Sequence, residues 1–166
     1  MGDRQRPKRV NAHTGVIDFS PNIFRGPVMY VVATPKGRIL CTEDDADSRD
    51  MLVCILETEG YHVTVTGNSA HALAIANREA FDLILVDTWM PGLSGPQLTK
   101  EIRKFNQSTP ILFYSGAAYE TDKQKARDAG AQGYLIKPLG ISDLVDEVAR
   151  LIAEAKIAFP VAIDLP

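Results

Sequence analysis

The sequence predicts a doubly wound α/β domain, and three observations carry that prediction. Leu83 to Val86 is an unbroken apolar run between turn residues, too short for a helix and suited to a strand buried on both faces. Five such strand-like runs alternate with five helical stretches between Arg38 and Ile157, and helices must cross over between parallel strands. Four of the runs end in reactive polar residues, as expected at the carboxyl edge of an open α/β sheet, where ligands bind.

Residues 1–27 carry several turn formers (Pro7, Asn11, Gly15, Pro21, Asn22, Gly26, Pro27) and no clear period. They are expected to be loosely ordered. Val28 to Ala33 fits one extra strand, stopped by Thr34-Pro35-Lys36-Gly37. The expected organisation is therefore an N-terminal extension over 1–37, partly disordered with an added strand at 28–33. A folded domain over 38–157 and a tail over 158–166 follow.

Ile39 to Thr42 reads as the first strand and runs into Glu43-Asp44-Asp45. A helix follows to about Glu59, with Met51, Leu52, Ile55 and Leu56 on its inner face and Gly60 as its stop. Acids in its first turns suit the positive end of a helix. Tyr61 to Thr66 alternates enough to lie near a sheet edge. Ser69 to about Glu79 is a small-residue helix with Leu73, Ala76 and Ala80 inward. After the central strand, Ser94-Gly95-Pro96-Gln97 is a capping-box pattern with proline in the first turn. It opens a helix carrying Leu98, Ile102 and Phe105. Ile111 to Tyr114 is the fourth strand, ending in Ser115-Gly116-Ala117, and a polar helix spans about Glu120 to Ala129. Gly133 to Ile136 is the fifth strand, followed by Lys137-Pro138. Ser142 is expected to cap a last helix bearing Leu144, Val145, Val148, Leu151 and Ile152.

Charge is unevenly placed. Residues 1–37 hold six Lys/Arg and two acids (net +4), and residues 38–166 hold twelve against nineteen (net −7). So acidic a domain is a poor nucleic-acid binder, because phosphate contacts need basic surface. The run Arg4, Arg6, Lys8, Arg9 reads as a solvated tail. Cys41 and Cys54 match no zinc or redox spacing and, lying in apolar elements, are expected to be buried, reduced thiols. No run is long enough for a membrane span, and Val28–Ala33 is too short for a signal-peptide core, so a cytoplasmic protein is expected.

In a parallel sheet all carboxyl ends share one edge. Glu43/Asp44, Asp87, Ser115 and Lys137 therefore converge on one crevice. Two carboxylates about 4 Å apart repel by on the order of 4 kcal/mol at an effective dielectric near 20, so the cluster calls for a cation or a proton. Hard oxygen donors, with no His or Cys among them, suit Mg²⁺ rather than zinc. Phosphoryl transfer fits this set, because it asks mainly for positioning and charge neutralisation. Asp87 would be the nucleophile, Mg²⁺ and Lys137 would balance phosphoryl oxygens, and Ser115 would offer a hydroxyl to a third.

Glu43-Asp44, Asp87 with Met90-Pro91-Gly92, Ser115, and Tyr134-Leu135-Ile136-Lys137-Pro138 resemble the receiver domain of bacterial two-component response regulators, of the single-domain, chemotaxis-regulator-like kind. The match covers about residues 38–156. The resemblance implies a flavodoxin-like receiver fold with strand order 2-1-3-4-5. It also implies transfer of a phosphoryl group to Asp87 from a histidine kinase or a histidine phosphotransfer protein. Mg²⁺ would be held by Asp44, Asp87 and the main-chain carbonyl of Trp89, with Glu43 acting through water. Ser115 and Tyr134 match the family's switch pair, Lys137 its phosphate-binding lysine, and Lys137–Pro138 is expected to be cis. Glu43 stands where aspartate is commoner. Such a chain is not an enzyme beyond its own phosphorylation and dephosphorylation.

A flavin binder shares the sheet order, but Glu43-Asp44-Asp45 would repel its phosphate. A stand-alone phosphatase would need a cap or another substrate-pocket element. The alternative function is a docking module that works without phosphorylation, although docking has no need of three mutually repelling carboxylates. Nine residues follow Ile157, so the chain is expected to act through protein contact or to be a piece of a longer protein. The surface expected to respond is the 120–155 face, which would meet a downstream protein or a second copy.

Overall fold

The computed structural model describes residues 34–138 and 140–159. Five strands, β1 (Arg38–Thr42), β2 (His62–Thr66), β3 (Leu83–Val86), β4 (Ile111–Ser115) and β5 (Gly133–Ile136), alternate with five helices. These are α1 (Ala46–Thr58), α2 (Ser69–Arg78), α3 (Gly95–Arg103), α4 (Glu120–Ala129) and α5 (Ile141–Ala158). All strands are parallel, in the order β2-β1-β3-β4-β5. The doubly wound sheet expected from the sequence is present.

Side chains alternate between the two faces of the sheet, which sorts the core into two layers. Ile39, Cys41, Leu83, Leu85, Leu112 and Tyr114 pack under Leu52 and Leu56 of α1 and Leu144, Val148, Leu151 and Ile152 of α5. Leu40, Ile84, Val86, Ile111 and Phe113 pack under Ala72 and Ala76 of α2, Leu98 and Ile102 of α3, and Ala126 of α4. Because β3 is covered on both faces, every one of its residues must be apolar, and none is more than 2% exposed. Truncating Leu85 to alanine there would cost about 2–5 kcal/mol.

Local signals fix the helix starts. The Asp45 carboxylate accepts the Ser48 N–H at 2.8 Å, and the Asn68 side chain accepts the His71 N–H at 3.0 Å. The Gln97 side chain accepts the Ser94 N–H at 2.9 Å, closing the capping box ahead of α3. Each such cap contributes about 1 kcal/mol. Gly60 ends α1 at φ +89°, a conformation that side chains resist.

Several expectations need correction. In α1 Leu52 and Leu56 are buried, Ile55 is half-buried, and Met51 and Cys54 are exposed. The run from Met51 to Leu56 is apolar all round, so its outer face carries no polar marker. Cys41 is buried as expected, and burial, aided by the charge of Glu43 and opposed by Lys137, pushes its thiol up to about 12. Ala80 and Phe105 lie beyond the ends of α2 and α3 and are exposed. Gly140, not Ser142, is the N-cap of α5, which runs on to Ala158. The Lys137–Pro138 bond is cis. The expectations for the N-terminal extension up to residue 33, including the added strand at 28–33, and for the tail from residue 160 lie outside the described residues.

Candidate active site

In-register pairing sets the strand ends side by side. Thr42 is the partner of Val86, and Val86 of Phe113. The residue after β3 therefore follows directly beside the residue after β1, and the Asp87 N–H donates to the Thr42 carbonyl at 2.9 Å. One carboxylate oxygen from each of Glu43, Asp44 and Asp87 lies within 4.8 Å of the others. Glu43 and Asp87 are buried, at 3% and 7% exposure, while Asp44 is open to solvent. From the end of β5, Lys137 reaches across to both buried acids. Its ammonium pairs with Glu43 Oε2 and stands 3.4 Å from Asp87 Oδ1. The sequence-predicted acids and lysine thus form one cluster.

Three carboxylates against one ammonium leave two uncompensated negative charges in a partly buried crevice. Burial pushes the Glu43 carboxyl above its ordinary 4.5, against the hydrogen bond and charge of Lys137, and the charge of Asp87 adds to the rise. Burial by itself would lower Lys137. Its hydrogen bond to Glu43 and the charges of Asp87 and Glu43 outweigh that and hold the ammonium above its ordinary 10.5. Asp87 Oδ2 accepts the Trp89 N–H at 2.8 Å, which fixes the carboxylate within the turn that follows β3. The donor set is oxygen-rich, acidic and half open, so it suits a small hard divalent cation.

Ser115 is fully buried at the end of β4. Its hydroxyl accepts the Thr88 N–H at 3.4 Å and the Ala117 N–H at 3.3 Å, and no hydrogen bond joins it to Asp87 among the described residues. Tyr134 is half-buried, and its ring stacks on Phe113 with centroids 5.6 Å apart and planes within 7°. The Tyr134 hydroxyl donates to the Ala117 carbonyl at 2.7 Å. The Trp89 side chain is 68% exposed.

The description "Response regulator receiver domain" belongs to the family model that matches residues 39–149. The chain belongs to that family. This receiver domain is 37% identical over 121 residues to the response regulator receiver protein CpdR of Brucella abortus, across 71% of this chain and 98% of CpdR. It is 35% identical over 126 residues to the transcriptional activator protein PfeR of Pseudomonas aeruginosa, across 76% of this chain and 41% of PfeR. The chain spans half or less of the length of PfeR and of other curated transcriptional regulators that it matches. Among solved structures, the CheY-like receiver domain protein of Methanospirillum hungatei superposes with a TM-score of 0.71 at 29% identity, over 74% of this chain and 98% of that one. The receiver domain of the sensor histidine kinase PA1611 of Pseudomonas aeruginosa has a magnesium ion coordinated in its active site cleft. It superposes with a TM-score of 0.67 at 30% identity, over 70% of this chain and 98% of that one.

Three residues with no role expected from the sequence also brace the turns around the acidic cluster. Arg49 of α1 donates to the carbonyls of Glu43 and Asp44 at 2.8 and 2.7 Å, tying down the acidic turn. Ser69, at the start of α2, is 1% exposed. Its hydroxyl donates to the Pro91 carbonyl and accepts the Leu93 N–H, both at 2.8 Å, so it pins the loop after Asp87. Gly95 leaves room for α3 against Asp87, since a Cβ there would collide with the Asp87 carbonyl. The (i, i+6) spacing of Arg49 from Glu43 could have been noticed as a helix-to-turn contact. Ser69 carried no such signal.

Proposed function

We propose that this receiver domain accepts a phosphoryl group on Asp87 from the phosphohistidine of a kinase or phosphotransfer protein and signals through protein contacts. The observation that supports this reading most is the cluster itself: a buried Asp87 carboxylate, two further acids within 4.8 Å, and the Lys137 ammonium 3.4 Å away. An Asp87 carboxylate oxygen forms the new P–O bond as the donor's P–N bond breaks, and the departing imidazole nitrogen takes a proton from water. The product is an acyl phosphate.

Asp44, Asp87 and the Trp89 main-chain carbonyl would hold Mg²⁺, with Glu43 acting through water. When bound, the ion supplies charge neutralisation for the phosphoryl oxygens. Lys137 moves from pairing with carboxylates alone to pairing with a phosphoryl oxygen as well, and the Trp89 N–H keeps Asp87 oriented. The Ser115 hydroxyl is the nearest group of the next strand end that can turn toward new acceptor oxygens, and Tyr134 follows it as the other half of a switch. The added charge, about −1.5 to −2, then reaches the 120–155 face. In that face α4 anchors itself with small residues, Ala126 and Ala129, and carries six charged residues, Glu120, Asp122, Lys123, Lys125, Arg127 and Asp128. Such a weakly anchored helix shifts at low cost. A downstream protein or a second copy would read the change.

Intact mass after incubation with acetyl phosphate tests the reading. One phosphoryl group should appear with Mg²⁺, vanish in excess chelator and be absent from Asp87→Asn. Phosphorylation that persists in chelator or in the variant would contradict it. A chain that never takes phosphate yet binds its partner would be a phosphorylation-independent docking module.

A further inference from the structure

Thr88, a residue so far without a role, is hydrogen-bonded to both halves of the proposed switch, as the main chain of Ala117 also is, and it alone of the two reaches Tyr134 through a side chain. It follows Asp87 directly, is 6% exposed, and is not placed among the acids. Its main-chain N–H donates to the Ser115 hydroxyl at 3.4 Å. Its own hydroxyl lies 3.2 Å from the Tyr134 hydroxyl. Donor and acceptor roles here are fixed by elimination. A phenol has one proton, and the Ala117 carbonyl, 2.7 Å from Tyr134 Oη, can only accept. Tyr134 therefore spends its proton on Ala117, and Thr88 must donate to Tyr134. Both contacts of Thr88 are long for hydrogen bonds, so they are weak enough to break and re-form.

We infer that Thr88 is a positioning residue that couples Ser115 to Tyr134. Its backbone tracks the Ser115 hydroxyl, and its side chain holds the Tyr134 ring against Phe113. Movement of Ser115 toward a phosphoryl group pulls on the same residue that holds the ring, so the two ends of the switch move together. The inference rests on the phosphoacceptor reading above and adds a third member to the pair. Valine at 88 would keep the shape and remove the donor. Serine would keep the donor.

Fluorine NMR of protein carrying 3-fluorotyrosine, with the Tyr134 signal assigned by Tyr134→Phe, reads the ring directly. Beryllofluoride with Mg²⁺ serves as the phosphoryl probe, and Trp89 fluorescence reports its binding. In Thr88→Val the population with the Tyr134 ring stacked on Phe113 should fall about threefold to tenfold relative to the population with the ring turned away, as loss of one neutral hydrogen bond would produce. Beryllofluoride affinity should stay within about twofold. Thr88→Ser should restore the parent behaviour, and Thr88→Ala should repeat the valine result if the valine variant folds poorly. An unmoved Tyr134 signal in both variants would overturn the inference, as would a large loss of beryllofluoride affinity, which would place Thr88 in the site itself. Failure of the parent protein to bind beryllofluoride would instead count against the phosphoacceptor reading. The ring populations without the probe would then still decide whether Thr88 holds Tyr134.

Discussion

The two edges of the sheet treat charge in opposite ways. At the amino edge acids and bases are matched. Asp82 accepts the Arg38 N–H at 2.7 Å and faces Lys156 at 3.5 Å, while the Arg38 guanidinium pairs with Glu79 at 2.5 Å. Arg103 donates to the carbonyls of Gly130, Asn106 and Thr109 and to the Gln132 side chain, closing two loops with one guanidinium. At the carboxyl edge Glu43, Asp44 and Asp87 share a single ammonium. The first edge is built to hold, and the second keeps an imbalance that a cation and a phosphoryl group can relieve. Matched charges thus mark the amino ends of the strands, and unmatched carboxylates mark the carboxyl ends, where the proposed function lies.

Removing the Arg103 clamp should have the largest effect. Arg103→Ala leaves part-buried carbonyls without their charged donor and should cost about 2–4 kcal/mol in denaturant unfolding, with Mg²⁺ affinity unchanged. A comparable loss of Mg²⁺ binding would break the separation of the two edges. The carboxyl edge should respond with the opposite sign. Asp87→Asn removes one of three repelling charges and should stabilise the metal-free protein by on the order of 1–2 kcal/mol, roughly 4–8 °C in Tm. A lower Tm in the variant would mean that Lys137 already compensates the cluster.

The pH dependence sharpens the same contrast. Glu43 has a raised folded-state pKa, chiefly from burial, so its contribution to stability is full below 4.5 and is lost as pH rises through the raised value. Metal-free wild type should therefore lose Tm relative to Glu43→Gln as pH climbs from about 4 toward neutrality. A difference that stays flat with pH would refute the burial argument. Glu147 on α5 is the reverse case, lowered by its hydrogen bond to Arg150, and contributes stability that is lost as pH falls. That pair is largely exposed, with the Arg150 side chain 47% accessible. Arg150→Ala should cost no more than about 0.5 kcal/mol, and a larger loss by thermal melting would show that this surface is not passive.

Much of this could be read from the sequence, for definable reasons. β3 was legible because burial on both faces permits no polar residue from Leu83 to Val86, and Asp87 was legible as the first charge after it. The five-strand alternation made the convergence of Glu43, Asp44, Asp87 and Lys137 a consequence of parallel pairing, whereas the Ser115 hydroxyl is turned to the N–H groups of Thr88 and Ala117. Cys54 misled because α1 has an apolar run without a polar face, so only its (i, i+4) pair Leu52 and Leu56 shows which side is inward. The clamps were illegible for another reason. Ser69 meets Leu93 across 24 residues, Arg103 meets Gly130 across 27, and Thr88 meets Tyr134 across 46. No local period records such contacts, because they depend on how neighbouring strand ends are aligned in space.

The central claim is that the unmatched carboxylates make the carboxyl edge a divalent-cation site centred on Asp87. Trp89, the sole tryptophan of the sequence, sits two residues from Asp87 and donates its N–H to that carboxylate, so its fluorescence reports on the site. Titrating Mg²⁺ into wild type, Asp44→Asn and Asp87→Asn while following Trp89 tests the claim. A saturable change in wild type that weakens at least about tenfold in each variant is the predicted result, since each variant removes a charged ligand. Equal affinity in all three proteins, or no Mg²⁺ response in wild type, would contradict it.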